Sequence, residues 1–303
     1  MNNLLNIKSF LKFLKGNKAY TAIDVFGLSV SLMFVILIAV YTVQELSVDK
    51  FHTDGDRIYV LTSDMGPVSG LPIAYNLKER YPEIEKVCPV ISAGVAPQTV
   101  KRNETKLTAK VIATDSCFFN FFSFKLLEGD AKRALEDRGN VVLSRTFANK
   151  LFGTESPVGQ SVVIGDSTSY MVGGVMEDIK NSTIPYADLL MRAERANEFN
   201  GSISMEHSGN AGAAVPFLMM KPGADLTPKI DDILSYFKES FWPYKQGMWK
   251  EVGLMPLHDM YFSGSQGFGS VQFGNKRFVI VLLSVGILIL IFAIFNYINL
   301  TVA

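Results

Sequence analysis

Two long apolar stretches constrain this sequence more than any other feature. They occupy residues 22–43 and 278–303, and each reaches the ~20 residues that an α-helix needs to cross a bilayer. We therefore predict transmembrane helices at residues 20–44 and 276–303. A cleaved signal peptide is the alternative for the first stretch. That stretch is longer than the apolar region of a usual signal peptide, about 7–15 residues, and no A-x-A cleavage site follows it. A buried core helix is the alternative for the second.

Basic residues before the first apolar stretch predict the topology. The positive-inside rule places the N-terminus in the cytoplasm and residues 45–275, including Lys132 and Lys221, outside it. Lys276 and Arg277 at the outer end of the second stretch oppose this orientation, but the first span usually dominates. The topology determinants are Lys8, Lys12, Lys15 and Lys18.

Residues 1–19 are predicted to form a cytoplasmic amphipathic segment. Leu4, Ile7, Leu11 and Leu14 recur at helical spacing, whereas the lysines fall mostly on the other side. Such a helix would lie on the inner face of the membrane. A basic flank that only sets the topology is the alternative.

The region between the spans is predicted to be one large α+β external domain. Strand, helix and strand patterns occur in "RIYVLTS", "LPIAYNLKERYPEI" and "KVCPVIS", and again in "AVPFLMMK", "LTPKIDDILSYFKESF" and "EVGLMPLHDMYF". Two β-α-β units usually close one sheet in the split, ferredoxin-like arrangement, so segments near Ile58 and Leu254 should be neighbours. Residues 45–114 and 211–275 would form this subdomain.

Residues 115–210 are predicted to form an inserted second α+β subdomain. A helix is expected around "RTFANKLFG", and alternating strands are expected in "QSVVIGDSTSYMVGGVMED". The aromatic run "CFFNFFSF" is typical of packed core or a hinge, with a ligand site as the less favoured alternative.

Composition and motifs give no support for catalysis, cofactors, metals or nucleic acid. The 29 basic and 29 acidic side chains balance, whereas nucleic-acid binding usually needs clustered basic residues. The sequence contains no Walker A loop, no grouping of a nucleophile with a base, and no metal-ligand spacing around His52, His207 or His258. The acidic stretch "DKFHTDGDR" lacks the ligand spacing and distal glutamate of an EF-hand. We predict no catalytic, cofactor-binding or metal-ligating residue.

The two cysteines would lie in a compartment that permits disulfides. A domain with an ample core needs no such staple, so we expect Cys88 and Cys117 to be free, buried thiols. Pairing stays an alternative that the sequence leaves open.

Four residues in the apolar stretches are candidates for helix packing. Gly27 and Ser31 lie four residues apart and place small side chains on one face, where helices can approach closely. Asn296 and Asn299 are three residues apart, and a carboxamide in hydrocarbon needs a polar partner. That partner would come from other spans or from the first span of the same copy, unless both residues lie at headgroup depth.

Several segments together resemble the ABC-transporter permeases of the MacB-like and FtsX-like type. They are, in order, "SVDKFHTDGDRIYVL", "FFSFKLLEGDAKRALEDRGNVVLSRTFANKLFGTESPVGQSV", "YMVGGVMEDIKNST" and the terminal "NYINLTVA". The most specific part is "VVLSRTFANKLFGTESPVGQSV", in which a strand, a helix and a Gly-Pro turn follow one another. The resemblance implies one span, a large external core domain, and then a bundle of three further spans. The chain would be the front part of such a permease, ending inside the second span.

The resemblance also implies a mechanical function. In this family, a cytoplasmic ATPase subunit supplies the energy, and the permease relays movement through its spans to the external domain. We therefore expect an inner-membrane, non-enzymatic permease subunit that contacts membrane lipid, pairs as a homodimer or heterodimer and engages an external partner protein. Export of an antibiotic, peptide or lipoprotein, or envelope remodelling, would be its role. A two-span sensor that binds an external ligand is the alternative, and a membrane-tethered hydrolase is disfavoured.

Overall fold

The computed structural model describes residues 18–92, 96–165, 167–201, 203–205, 214–264 and 271–302. This part of the chain forms two compact units. One is a helical unit with residues 18–47 and 275–302, and the other is an α+β unit, Val48–Gly274. The predicted segment 1–19 and the determinants Lys8, Lys12 and Lys15 lie almost wholly outside the described residues.

The helices and strands of the described chain have the following bounds. The helices are α1 (Lys18–Leu46), α2 (Leu71–Arg80), α3 (Phe118–Phe121), α4 (Arg145–Phe152), α5 (Ile230–Ser240), α6 (Trp242–Lys245), α7 (Leu257–Met260) and α8 (Lys276–Val302). Short 3₁₀ turns are present at Gly55–Arg57, Ala193–Glu198 and Thr227–Lys229. The strands are β1 (Ile58–Ser63), β2 (Ile84–Ile91), β3 (Gln98–Arg102), β4 (Thr105–Ala109), β5 (Val111–Thr114), β6 (Leu126–Gly129), β7 (Asn140–Ser144), β8 (Ser161–Ile164), β9 (Thr168–Met176), β10 (Leu189–Arg192), β11 (Val215–Met220) and β12 (Val252–Pro256).

The described strands build one continuous sheet. Its order is β12-β1-β11-β2-β5-β10-β7-β9-β8-β3-β4, and β6 pairs with β9. We call β12-β1-β11-β2 the first half and the remaining strands the second half. Between the described strands, the two halves pair through Val90 with Thr114 and Ile91 with Ala113 of β2 and β5, and buried side chains on both faces pack across this junction. We call this short junction the seam.

The first half has the predicted split β-α-β arrangement. Its neighbouring strands are antiparallel, and Leu61 of β1 pairs with Leu254 of β12. The prediction that these distant segments are neighbours is therefore confirmed. Side chains alternate across β1: Leu61 packs with Leu77 of α2 and Phe237 of α5 on one face, whereas Ile58 and Val60 pack with the aromatic run of α3 on the other.

The structure differs from the predicted subdomain boundaries in two ways. Strands β3 and β4, assigned to residues 45–114 of the first subdomain, pair at the far edge, where Val100 of β3 lies opposite Ile164 of β8. Residues 115–210 belong to the same sheet as the first half, because β5 pairs with both β2 and β10. A polar hairpin with few apolar side chains finds its place through backbone pairing, which the residue pattern does not specify.

The segment predicted as a strand at "EVGLMPLHDMYF" is a strand followed by a helix. Strand β12 ends at Pro256, and Leu257 and Met260 of α7 are both buried in the core. Their spacing of three residues suits one face of a helical turn. The strand prediction is wrong for this second part.

The helical unit consists of two paired helices. A Cβ at Gly286 of α8 would lie 3.0 Å from Cγ2 of Ile38 in α1, so the backbone approaches its neighbour closely there. Tyr41 and Phe278 meet edge to face at 6.3 Å. Phe292 and Phe295 of α8 are 68% and 58% exposed, so α8 is not the buried core helix of the alternative interpretation. Both helices are long and apolar enough to cross a membrane.

Candidate functional site

Asn296, a predicted packing residue, has a partner on the other helix of its unit. Its Nδ2 donates to the backbone oxygen of Asp24 at 3.3 Å. That partner belongs to the first span of the same copy, one of the two sources that the sequence suggested. Asn299 lies on the same helix, but its side chain is outside the described residues.

Gly27 does not make a close approach to α8, and the Ser31 hydroxyl is bound within α1. A Cβ at Gly27 would meet nothing within 4 Å, and Ser31 Oγ donates to the oxygen of Gly27 at 2.8 Å within α1. Their predicted packing against other spans stays a prediction. Gly286 makes the close approach instead, and its only sequence signal was a glycine inside an apolar run. Lys18 begins α1, but its side chain is not described.

A buried polar cluster lies where the chain enters the α+β unit. We call Asp49, His52, Ser123, Ser182 and Thr183 the junction cluster. The Asp49 side chain is 1% exposed and accepts hydrogen bonds from Ser182 Oγ at 2.5 Å and from the Thr183 backbone N–H at 3.0 Å. A buried carboxylate that receives several donors is held firmly in place, because each bond to a charged group is stronger than a neutral one.

The backbone of Asp49 adopts a conformation that few residue types accept. Its φ is 58°, in the left-handed region that favours glycine, asparagine and aspartate. Its N–H donates to the oxygen of Asn181 at 3.0 Å, and Asn181 itself has a φ of 52°. Two tight turns, one after α1 and one after β9, are thus joined through both backbone and side chain.

His52 connects this pair to a third segment. Its Nδ1 accepts the backbone N–H of Ser123 at 3.1 Å, so a neutral ring carries its proton on Nε2. Nε2 lies 3.4 Å from Oδ1 of Asp49. The aromatic rings of Phe51, Phe122 and Phe124 surround the imidazole. His52, for which the sequence shows no metal-ligand spacing, is therefore part of a hydrogen-bonded cluster.

The segment by which the chain leaves the α+β unit contacts the same loop. The backbone N–H of Gln272 donates to the oxygen of Thr183 at 2.7 Å. Asp49 comes three residues after the end of α1, and Gln272 comes four residues before the start of α8. Residues 181–183 therefore bind both chain ends of the unit.

The loop that carries residues 181–183 is also tied to α4. Asp178 accepts the backbone N–H of Thr146 at 3.0 Å and the Thr146 hydroxyl at 2.5 Å, while Ser144 Oγ caps the same helix by accepting from Phe147 N at 3.2 Å. Burial acts to raise the pKa of Asp178, but these hydrogen bonds outweigh it and hold that pKa below its ordinary value. The carboxylate is therefore charged near neutral pH and stabilises the start of α4.

The other sequence candidates are placed separately. Cys88 and Cys117 are free; Cys88 is buried, and that burial raises its pKa. Asp54 of the acidic stretch binds Arg57 at 2.7 Å, whereas Asp49 points into the junction cluster. Across the described ranges, no three His, Cys, Asp or Glu side chains are grouped to hold a metal ion. His207 lies outside those ranges.

Comparison with known proteins identifies the family of this chain. The model of the MacB-like periplasmic core domain matches residues 21–233, which include Asp49, His52 and the loop 181–183. The chain belongs to the family of proteins with a MacB-like periplasmic core domain. The sequence-based resemblance is therefore confirmed, as is the prediction of two apolar helices flanking a mixed α+β domain. None of the curated proteins compared with the sequence matches it.

One solved permease domain shares the fold of this chain, and two further domains are similar to it at lower TM-scores. A permease domain from Porphyromonas gingivalis is 17% identical, with a TM-score of 0.56 over 77% of this chain and 99% of that chain. The periplasmic region of MacB from Actinobacillus actinomycetemcomitans is 14% identical, with a TM-score of 0.47 over 67% of this chain and 89% of that chain. The extracellular domain of the ABC-type transporter YknZ from Gram-positive bacteria is 13% identical, with a TM-score of 0.47 over 65% of this chain and 99% of that chain. The match to a periplasmic core domain and the two apolar helices indicate that this chain is a membrane protein whose α+β unit lies outside the cytoplasm.

Sequence reasoning did not identify the junction cluster as a site. Asp49 lies in the acidic stretch that lacks EF-hand spacing, and both Asp49 and Asn181–Thr183 lie in segments that carry the family resemblance. Their signal was two short polar stretches, "SVDKFH" and "KNST", with nothing in the local pattern to indicate that they meet.

Proposed function

We propose that the chain is the permease subunit of an ABC transporter and that it relays movement of its membrane helices to the MacB-like domain. In this proposal, the chain has no ATPase activity, a separate cytoplasmic subunit hydrolyses ATP, and two permease copies work together. The family match and the pair of apolar helices support the proposal. Export, or remodelling of the envelope, is the resulting activity.

The observation that most supports this proposal is that both chain ends of the α+β unit are hydrogen-bonded to the same loop. Asp49 follows α1 and binds Ser182 and Thr183 through its side chain. Gln272 precedes α8 and binds Thr183 through its backbone. A displacement of either helix along its axis would therefore be passed to residues 181–183 through a segment of only a few residues and the hydrogen bonds that this segment makes.

The loop passes that displacement into the second half of the sheet. It follows β9, which pairs with β7 and β8, and Asp178 at its start holds the first turn of α4. Packed elements transmit movement because they have few alternative arrangements. The second half is therefore expected to shift relative to the first half when ATP is bound, with the seam as the flexible connection.

The test uses the complete permease, reconstituted with its ATPase subunit. Spin labels at positions 150 and 238 report on α4 in the second half and α5 in the first half, after Cys88 and Cys117 are replaced by serine. ATP should change the distance between the labels, and Asp49→Asn should reduce that change while ATP hydrolysis continues. Asp231→Asn, the same substitution at an exposed position, should leave the change intact.

A two-span sensor makes different predictions in the same experiment. Its external domain would respond to a ligand and not to ATP, so a label distance that ATP does not alter would refute the permease proposal. Orientation is tested by cysteine labelling in intact cells. Label that reaches position 8 from outside, together with protection at position 132, would overturn a cytoplasmic N-terminus.

A further inference from the structure

A cleft of about 480 Å³ lies beside the seam of the sheet. Its walls come from both halves, so it lies where two parts of one domain meet, a common position for ligand sites. The lining residues are Tyr75, Lys78, Lys86 and Val87 from the first half, and Asp115, Cys117, Asn120 and Lys132 from the second half.

Three of the lining side chains are lysines, and they come from three different segments. Lys78 lies on α2, Lys86 on β2 and Lys132 follows β6. Lys86 lies 3.6 Å from Glu85 and donates to the backbone oxygen of Asn120 at 3.3 Å. Within the described part of the chain, neither Lys78 nor Lys132 has a carboxylate within 4.0 Å. Two ammonium groups at the rim are therefore without an anionic partner.

The one carboxylate of the cleft is already engaged by donors. Asp115 accepts from the Tyr75 hydroxyl at 2.8 Å and from the Cys117 backbone N–H at 2.9 Å. Burial acts to raise the pKa of Asp115, and these hydrogen bonds lower it further than burial raises it. Asp115 is thus held in place by these donors, and its negative charge offsets one of the three lysine charges. The remaining excess is positive.

We propose that this cleft binds a small, soluble, multivalent oxyanion, such as a phosphorylated or polycarboxylate compound, through Lys78, Lys86 and Lys132. Ammonium groups carry only donors, so their complement is a ligand rich in charged acceptors. The ring of Tyr75 and the side chain of Val87 add apolar surface to the floor, which suits a ligand with an organic body. Because the lysines come from both halves, an occupied cleft holds the halves together across the seam.

The experiment measures binding of pyrophosphate and of citrate to the whole chain in a neutral detergent, by calorimetry at fixed ionic strength. We expect saturable binding of at least one probe at a single site. Lys78→Gln with Lys132→Gln should weaken that binding by about tenfold, as expected for the loss of two close charges at a partly exposed site. Added salt should weaken it as well.

A matched double variant separates the cleft from general surface charge. Lys150→Gln with Lys238→Gln removes the same two charges from exposed positions away from the cleft and should bind as the wild type does. Tryptophan fluorescence during urea unfolding shows that both double variants are folded. Absence of saturable binding, an equal loss in both double variants, or binding to anionic vesicles alone would overturn the proposal. Each outcome is independent of the permease function, because no ATPase subunit is present.

Discussion

Asp49→Asn is the most informative single change in the junction cluster. Asparagine has the same shape as aspartate and accepts the left-handed backbone at φ 58°, so the turn after α1 is preserved. The substitution removes the charge and replaces one acceptor oxygen with an NH₂ group. The Thr183 N–H lies within reach of both carboxylate oxygens and Ser182 Oγ binds Oδ1, so in the variant either the Thr183 N–H faces the new NH₂ group or the Ser182 hydroxyl reverses to accept from it. In both arrangements a hydrogen bond to a charged acceptor is lost.

The cost follows from that lost hydrogen bond. A buried hydrogen bond to a charged group contributes about 1.5–3 kcal/mol, and Asp49 is 1% exposed, so water cannot take the place of the lost acceptor. We therefore expect the free energy of unfolding of the MacB-like domain to fall by about 2 kcal/mol. With an m-value of about 2 kcal/mol per molar urea, the midpoint falls by about 1 M.

Tryptophan fluorescence measures this midpoint in the whole chain. The two tryptophans of the sequence, Trp242 and Trp249, both lie in the α+β unit Val48–Gly274, and Trp249 is buried against Phe241 at 5.7 Å. The signal therefore reports on this domain and not on the membrane helices. Asp231→Asn is the control, because the same change is made at an exposed carboxylate. Equal midpoints for the two variants would refute the view that Asp49 is a structural anchor.

Three further outcomes are expected. Gly173→Ala should lower the free energy of unfolding by about 1–3 kcal/mol, as overpacking does, because the new Cβ would lie 2.2 Å from a backbone oxygen. Gly201→Ala, with nothing within 4 Å of its Cβ, should leave that free energy unchanged. Equal urea midpoints for the two variants would contradict this. Gly286→Leu should slow crosslinking between cysteines placed at the outer ends of the two membrane helices, whereas Gly27→Leu should leave it unchanged; the reverse result would exclude the close approach. The pKa of Asp178 lies below the ordinary 3.8, so its contribution to the free energy of unfolding should be present above pH 3.8 and lost as the pH falls through the lower folded pKa. The difference in unfolding free energy between wild type and Asp178→Asn should therefore shrink on acidification. A difference that stays constant would contradict this.

Much of the first half of the sheet was predictable because its central strands are largely buried on both faces. Strands β2 and β11 appear as short apolar runs, and the two intervening helices have apolar side chains on one face. The pairing of Leu61 with Leu254 then followed from the way that two β-α-β units close a sheet.

The second half and the junction cluster depend on information that the residue pattern does not contain. Most side chains of hairpin β3-β4 are polar and half-buried or exposed, so its place at the far edge depends on backbone pairing with β8. Asp49 and Thr183 are far apart in sequence, and a polar residue in a loop has the same local pattern whether it is buried or solvated. Gly173 lies within β9 and permits close contact with the backbone of Ala134, and the local pattern around a glycine does not reveal such a contact.

The position of β11 between β1 and β2 determines how the domain can fold as it leaves the cytoplasm. The chain emerges from its N-terminal side, so β1, α2 and β2 arrive outside early, but the strand that must separate them arrives after all strands of the second half. Those strands, from β3 to β10, are contiguous in sequence and can pair with one another first. Until β11 arrives, β1 and the edge of β2 that faces β11 have no partner strand. During this interval the domain is most open to misassembly and to folding factors outside the cytoplasm.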